Sequence, residues 1–167
     1  MLDDILKNMA LFVDGRGFAG NVESLSLPKL SLKTESFRNG GMDAPMDIEM
    51  GMEKLDAEFV LTRFDKKVLA LFGLAPGLPT PFTVRAAMVS DDGTQVPVVV
   101  NLQGMVREMD YGSWKPGDKA TLKIAVSLRY YKLSHDGEVI HEIDIPNMVR
   151  IIDGVDQLAA MRRALGL

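Results

Sequence analysis

The run "KATLKIAVSLRYYKLSHDGEVIHEIDIP" restricts the fold of this chain more than any other part of it. Ala120, Leu122, Ile124, Val126, Leu128 and Tyr130 fall on one parity, and Lys119, Thr121, Lys123, Ser127 and Arg129 on the other. Successive strand side chains point to opposite faces, so this alternation describes an antiparallel strand with one face buried and one solvated. Continued through Leu133 it covers about 15 residues, roughly 50 Å, where a typical strand has about five or six residues. That length calls for a large barrel or an extended sheet. The apolar parity shifts at Tyr130, Tyr131 and Leu133, which predicts a bulge there or a point where the second face is also covered. Asp136-Gly137 then supplies the two-residue loop of a type I′ hairpin, whose central positions both need positive φ. The return strand is expected from Glu138 to about Ile145, with Pro146 ending it, His135 opposite Glu138 and His141 facing Lys132.

Three further runs read as strands that form a meander. "LDAEFVLT" buries Leu55, Ala57, Phe59 and Leu61 and exposes Asp56, Glu58 and Thr62. "PFTVRAAMV" and "QVPVVVNLQGMVREM" follow, joined by the turn Asp91-Asp92-Gly93. "NMALFVDGRGFAGNVESLSL" adds an N-terminal hairpin that turns between Asp14 and Gly17. Two helices are predicted. In "RFDKKVLALFG", Asp65 caps, Phe64 staples onto Leu69, Val68, Leu71 and Phe72 share a face, and Gly73 suits a left-handed C-terminal position. Over 153–166, Asp153 caps, Asp156 sits in the first turn, and Arg162 and Arg163 complement the macrodipole in the last. A helix this short needs a surface to dock on. The fold class is therefore mainly β with minor α: an antiparallel barrel or sandwich, one short flanking helix and a C-terminal helix.

One stretch resists this scheme. Leu27 to Gly51, "LPKLSLKTESFRNGGMDAPMDIEMG", is too long for a turn, and Asn39, Gly40, Gly41 and Pro45 would break a helix or a central strand. Yet Leu30, Leu32, Phe37, Met42, Met46, Ile48 and Met50 are apolar beyond what a solvated linker needs. Residues 28–51 are expected to be a long extended loop whose apolar side chains find a neighbouring molecule, with Asn39-Gly40-Gly41 as the bend at its tip. Fully extended, about twenty residues reach roughly 65 Å, against a radius of gyration near 15 Å for a domain of this size. Such a segment can leave its own subunit.

Composition removes several function classes. With 167 residues and a formal charge of -4, the chain suits one domain with a real core and lacks the basic stripe of a protein that grips nucleic acid. Zero cysteines exclude disulfides, thiol catalysis and Cys-ligated zinc. The longest apolar run, around "VLALFGLAP", is about half a membrane span, and "MLDDILKN" lacks the basic region and apolar core of a signal peptide, which implies a soluble cytoplasmic product.

No constellation points to chemistry. "GRGFAG" matches G-x-G-x-x-G, but the strand-like "NVESLSLP" follows it where a pyrophosphate-binding helix would have to begin. His135 and His141, with Glu138, Glu142 and Asp144 nearby, could be imagined as a metal site, but on the expected hairpin the imidazoles do not converge. No G-x-S-x-G elbow or acid–base pair is present. Catalytic, metal-binding and cofactor-binding residues are all expected to be none.

Three blocks together carry a family resemblance: "LFVDGRGFAGNVESLSLPKLSLKTESFRNGGMDAPMDIEMGME", "YYKLSHDGEVIHEIDIPNMVR" and "IDGVDQLAAMRRALGL". They closely resemble the major tail tube proteins of contractile-tailed bacteriophages and of the phage-tail-like R-type bacteriocins. The resemblance covers nearly the whole chain, with residues from about Arg63 to Asp118 matching mainly in pattern. It implies a single tail-tube domain over 1–167, with an N-terminal arm at 1–8, an inter-subunit loop at 28–51 and a C-terminal helix at 153–166. It implies a structural, non-catalytic subunit, six of which form a ring whose long hairpins join into one lumen-lining barrel. Rings stack into a tube inside a contractile sheath. The implied partners are further copies of the chain, a sheath protein outside, a tape-measure protein and passing DNA in the lumen, and baseplate and tail-terminator proteins at the ends. Its place is a virion tail or tailocin particle assembled in the host cytoplasm.

On this reading Leu30, Leu32, Phe37, Arg38, Gly40, Gly41, Met42 and Met46 are candidate subunit-interface residues, and Asp56 and Glu58 candidate lumen-facing ones. An acidic lumen lets DNA slide, since duplex DNA carries one negative charge per about 1.7 Å. Lys119, Lys123 and Arg129 are accordingly expected to be paired with acids or turned outward. Two other readings stand beside this one: another oligomeric β-barrel, such as a virion decoration or adhesion module, and a small enzyme using "GRGFAG" or the histidines.

Overall fold

The computed structural model describes residues 4–14, 16–17, 22–73 and 78–167. In chain order the elements are β1 (Ile5–Val13), β2 (Arg16–Gly17), β3 (Val22–Ser26), β4 (Leu32–Phe37), β5 (Met46–Met52), β6 (Asp56–Leu61) and α1 (Lys66–Leu69). β7 (Thr80–Val89), β8 (Gln95–Asp110), β9 (Leu122–His135), β10 (Glu138–Asp144), β11 (Val149–Ile152), β12 (Val155–Asp156) and α2 (Ala159–Leu165) complete the chain. As its alternation predicts, the protein is mainly β and its strands pair antiparallel.

β8 and β9 form the spine. β8 lies along one edge of β9 from Val98↔His135 to Asp110↔Lys123. The other edge of β9 is divided: β6 pairs with its first half, Leu122 to Ser127, and β10 with its second half, Tyr130 to His135. The sheet therefore splits at Leu128–Arg129, where the Leu128 N–H donates to Leu55 O at 3.0 Å and the Ile145 N–H to Arg129 O at 2.9 Å. The register shift opposite Gln103/Gly104 falls at the same place, so the expected bulge is found with Arg129 as its extra residue. It explains the parity change: Leu122, Ile124, Val126 and Leu128 are buried before it, Tyr131 after it. Gly104 is required here, because a Cβ would lie 2.2 Å from Ser127 O.

The core forms from the inward parity of each strand: Leu11 and Val13, Leu55, Ala57, Phe59 and Leu61, Phe82 and Val84, and the matching positions of β8 and β9. Phe59 stacks on Phe82 with ring centroids 5.3 Å apart. The hairpin at Asp136-Gly137 has the positive φ values that its turn type needs, 50° and 84°.

Several expectations are corrected. β6 is not a neighbour of β7; it pairs with β9 and β3, so the meander begins at β7. The N-terminal hairpin has two pairs, Phe12↔Gly17 and Val13↔Arg16, after which β3 crosses to β6; the rest of "GRGFAG" lies outside the described residues. Residues 5–8 of the expected N-terminal arm belong to β1, whose Ile5 pairs with Val89, because β7 offers it a partner along its whole length; residues 1–3 lie outside the described residues. The long strand starts at Leu122 rather than at Lys119, and its return ends at Asp144. His141 faces Leu133 rather than Lys132, because a bulge between Val139 and His141 slips the register by one.

The helices are shorter than expected. Asp65 does cap α1, accepting from the Lys67 N–H at 2.8 Å, but the helix is a single turn because Phe72 and Gly73 leave it to bridge Val106 of β8. Asp153 does not cap α2. Asp153 and Gly154 take φ of 50° and 79° as a second Asp-Gly hairpin loop, which pairs Val155 with Ile152 and delays the helix to Ala159.

Candidate assembly surface

The stretch that resisted a place in the fold is not an irregular loop. Among the described residues β4 and β5 pair only with each other, as a two-stranded sheet separate from the body. Phe37 faces Met46, Ser36 faces Asp47, Glu35 faces Ile48 and Thr34 faces Glu49. Residues directly opposite one another share a face. One face of the hairpin thus carries Phe37, Met46, Ile48 and Glu35, and the other Ser36, Asp47, Thr34 and Glu49.

Its tip is built as the sequence indicates. The Met42 N–H donates to Asn39 O at 3.1 Å, Gly41 takes a φ of 88°, and the Arg38 Nε donates to Met42 O at 3.2 Å. Of the candidate interface residues, Arg38, Gly40, Gly41 and Met42 therefore shape the turn. Leu32, Phe37 and Met46 belong to the strands, and Leu30 lies just before β4, exposed.

The orientation of this hairpin is reversed relative to an ordinary surface ribbon. Glu49, on the polar face, accepts a charge-assisted hydrogen bond from the guanidinium of Arg150 on β11, a residue only 7% exposed. The apolar face is open: Phe37 is 41%, Ile48 43% and Met46 60% exposed. Near the root, the register slips between Leu32 and Thr34 opposite Gly51, whose φ is 95°, and Met50 at this bulge is 55% exposed. Arg150 and Glu49 escaped the sequence reading, because 101 residues separate them and no local pattern links them.

Beside the root lies a groove of about 920 Å³, formed where the sheet splits. Met50, Met52 and Leu55 make one wall, Ile143, Ile145 and Met148 another, and Leu158 and Met161 a third. α2 borders it without burying any of its own residues. The helix is held by polar contacts: the Asp156 carboxylate accepts from the Leu158 N–H at 3.1 Å and from Arg162, which also donates to Met148 O at 2.7 Å. Arg162 holds the Asp156 carboxyl below its ordinary range.

On the solvated face of the body, Asp56 lies 3.7 Å from Arg107 and 3.5 Å from Lys54, and Glu58 lies 3.6 Å from Lys123. Lys119 pairs with Glu23 at 2.8 Å. Two of the three cations expected to be paired are so, and Arg129 is exposed. The histidines do not converge: His135 sits opposite Glu138, whereas the His141 ring stacks on Tyr131 at 6.4 Å.

Residues 3–166 match the family described as phage tail tube protein FII. The chain belongs to this family. It is 36% identical over 166 residues to the tail tube protein of Escherichia phage P2, covering 97% of this chain and 96% of that protein. To the major tail tube protein of Serratia phage KSP20 it is 31% identical over 151 residues, covering 89% and 87%. The same fold occurs in a chain of a sheath–tube complex from an extracellular contractile injection system, PVC, with a TM-score of 0.59 at 13% identity, covering 76% of this chain and 88% of that one. A chain of the sheath/tube terminator of that system gives the same score, covering 77% and 94%. A phage tail tube protein is a structural component of the virion tail and not an enzyme. Among the described residues no helix is long and apolar enough to cross a membrane.

Proposed function

We propose that this tail tube protein assembles into six-subunit rings that stack into the inner tube of a contractile particle, with the β4–β5 hairpin as the inter-subunit arm. The observation that carries this reading is the hairpin's sidedness. A ribbon that ties its polar face to its own body and turns Phe37, Met46 and Ile48 to solvent has its apolar surface directed at another molecule. Fully burying one such side chain is worth about 1.5–3 kcal/mol, and in a stacked tube the gain repeats at every subunit. β1 supports the same reading. Among the described residues its Ile5 to Leu11 stretch is paired on one edge only, by β7, and closure of a ring is one way to remove such an edge.

The solvated face that carries Asp56 and Glu58 lines the lumen in this proposal. With Asp56 beside Arg107 and Glu58 beside Lys123, these cations are neutralised locally, so passing DNA meets fewer uncompensated positive charges to hold it. A sheath protein packs outside, a tape-measure protein occupies the lumen before DNA, and terminator and baseplate proteins close the ends. The tube is driven through the bacterial envelope and, in a phage, conducts the genome.

Electron microscopy of the purified protein tests this. Six-fold rings or tubes of uniform width are expected; a monomer that persists at high concentration would overturn the reading.

A further inference from the structure

Resting on that reading, we infer that the groove at the sheet split is the receptor for the β4–β5 hairpin of a second copy, which seats its Phe37–Met46–Ile48 stripe there. Patch and pocket on one chain, when they cannot meet within it, make a heterologous contact, and such contacts propagate into rings or filaments.

Within one copy they do not meet. The hairpin turns the face opposite its stripe toward its own body, where Glu49 is held by the buried Arg150. Ile48, Met46 and Phe37 do not line the groove of their own subunit, whereas Met50 and Met52 at the hairpin root do. The strands of β4 and β5, six and seven residues long, carry the stripe up to about 20 Å from the root, enough to cross into a neighbour.

The two surfaces match in chemistry. The groove is floored by aliphatic and thioether side chains, with Ile145 and Met161 about half exposed, and charged residues, among them Glu53, Lys54 and Asp144, also line it. Met is suited to accept an aromatic ring and two branched or flexible side chains, because its unbranched thioether adapts to an incoming shape. The stripe has one charge, Glu35 opposite Ile48, and the groove wall carries Lys54, whose side chain is 62% exposed and lies 3.5 Å from Asp56. The short α2, which buries none of its own side chains, then becomes the groove's third wall and is covered on assembly.

The absence of cysteine permits a direct test. One preparation carries Ile48→Cys and another Met161→Cys; the two are mixed before assembly, oxidised mildly and run on a non-reducing gel, with tube yield counted by electron microscopy. Because a disulfide needs Cα atoms within about 7 Å, a dimer band from the mixture and from neither protein alone is the expected result. Tubes at ordinary yield with no dimer, or a dimer already formed by either protein alone, would overturn the groove assignment while leaving the tube reading intact. If no rings or tubes form even from the unsubstituted protein, both fall. Met161→Arg provides a second readout. Tube yield should drop more than tenfold at an unchanged melting temperature, and an unchanged yield would count against the groove as receptor.

Discussion

The body and the hairpin are made of similar strand sequences and have opposite fates. In β6, Ala57, Phe59 and Leu61 alternate with polar residues and are wholly buried, because side chains from across the core, such as Phe82 of β7 stacked on Phe59, cover that face. In β5, Met46, Ile48 and Met50 alternate with Asp47 and Glu49 just as regularly and stay exposed. Alternation specifies a face, not what covers it. In the body the covering layer belongs to the same chain; in the hairpin the stripe is exposed, and in the proposed tube its cover comes from a second copy. Substitutions in the two regions should therefore separate stability from assembly.

The largest effect is expected in the body. Phe59→Ala removes a buried ring stacked on Phe82 and should cost about 3–5 kcal/mol, read as a fall in the urea midpoint of the unassembled protein. Gly104→Ala places a methyl 2.2 Å from Ser127 O; the backbone must move at the bulge, at a cost of about 1–3 kcal/mol. Glu49→Gln lies between the regions. It leaves the buried Arg150 guanidinium without its charged partner, an effect of about 1–3 kcal/mol for a buried donor, and toward the lower end because Glu49 itself is part-exposed. Amide exchange should accelerate across β4 and β5 while β8 and β9 keep their protection.

Phe37→Asp should shift monomer stability by no more than about 0.5 kcal/mol, as for an ordinary surface change, and still abolish tubes. A matching loss of monomer stability would erase the contrast between the regions. The smallest effect concerns Asp156. Its pKa is lowered in the folded protein, so its contribution is present above the unfolded value near 3.9 and fades as pH falls through the folded one. Asp156→Asn should flatten that part of the acid limb below about pH 4, measured by thermal melts in which α2 and the β11–β12 hairpin loosen first.

The parts of the fold that were legible are those set by local rules. The inward parities of β6 and β9, the Asp136-Gly137 turn, the Asp65 cap and the bulge near Tyr130 all depend on residues within a few positions of one another. The misreadings share one cause, a local signal with two physical meanings. Asp153-Gly154 suits a helix cap and a type I′ turn equally; Val155 finding Ile152 across the turn selected the second. "LDAEFVLT" has the pattern of a strand whichever strand lies beside it, so its pairing with β9 and β3 could not be read from it. The stretch proposed as an interface stood out as a misfit of apolar residues around Asn39-Gly40-Gly41, and its candidate residues other than Leu30, which precedes β4, lie on one hairpin. Its sidedness was not legible, because it depends on the Arg150–Glu49 contact and on a one-residue register.

What the sequence by itself determined is the alphabet of the fold: mainly antiparallel strands, their inward faces, the hairpin loops, the family, and a segment with more apolar side chains than its surroundings could use. These follow from side-chain periodicity and backbone preference, which act over a few residues. The tertiary structure alone decided that β9 shares one edge between β6 and β10, that the resulting split opens a groove, and that the hairpin rising beside it turns its apolar face outward. Those outcomes depend on which distant strands meet and in what register, and a shift of one residue would have sent each side chain to the other face.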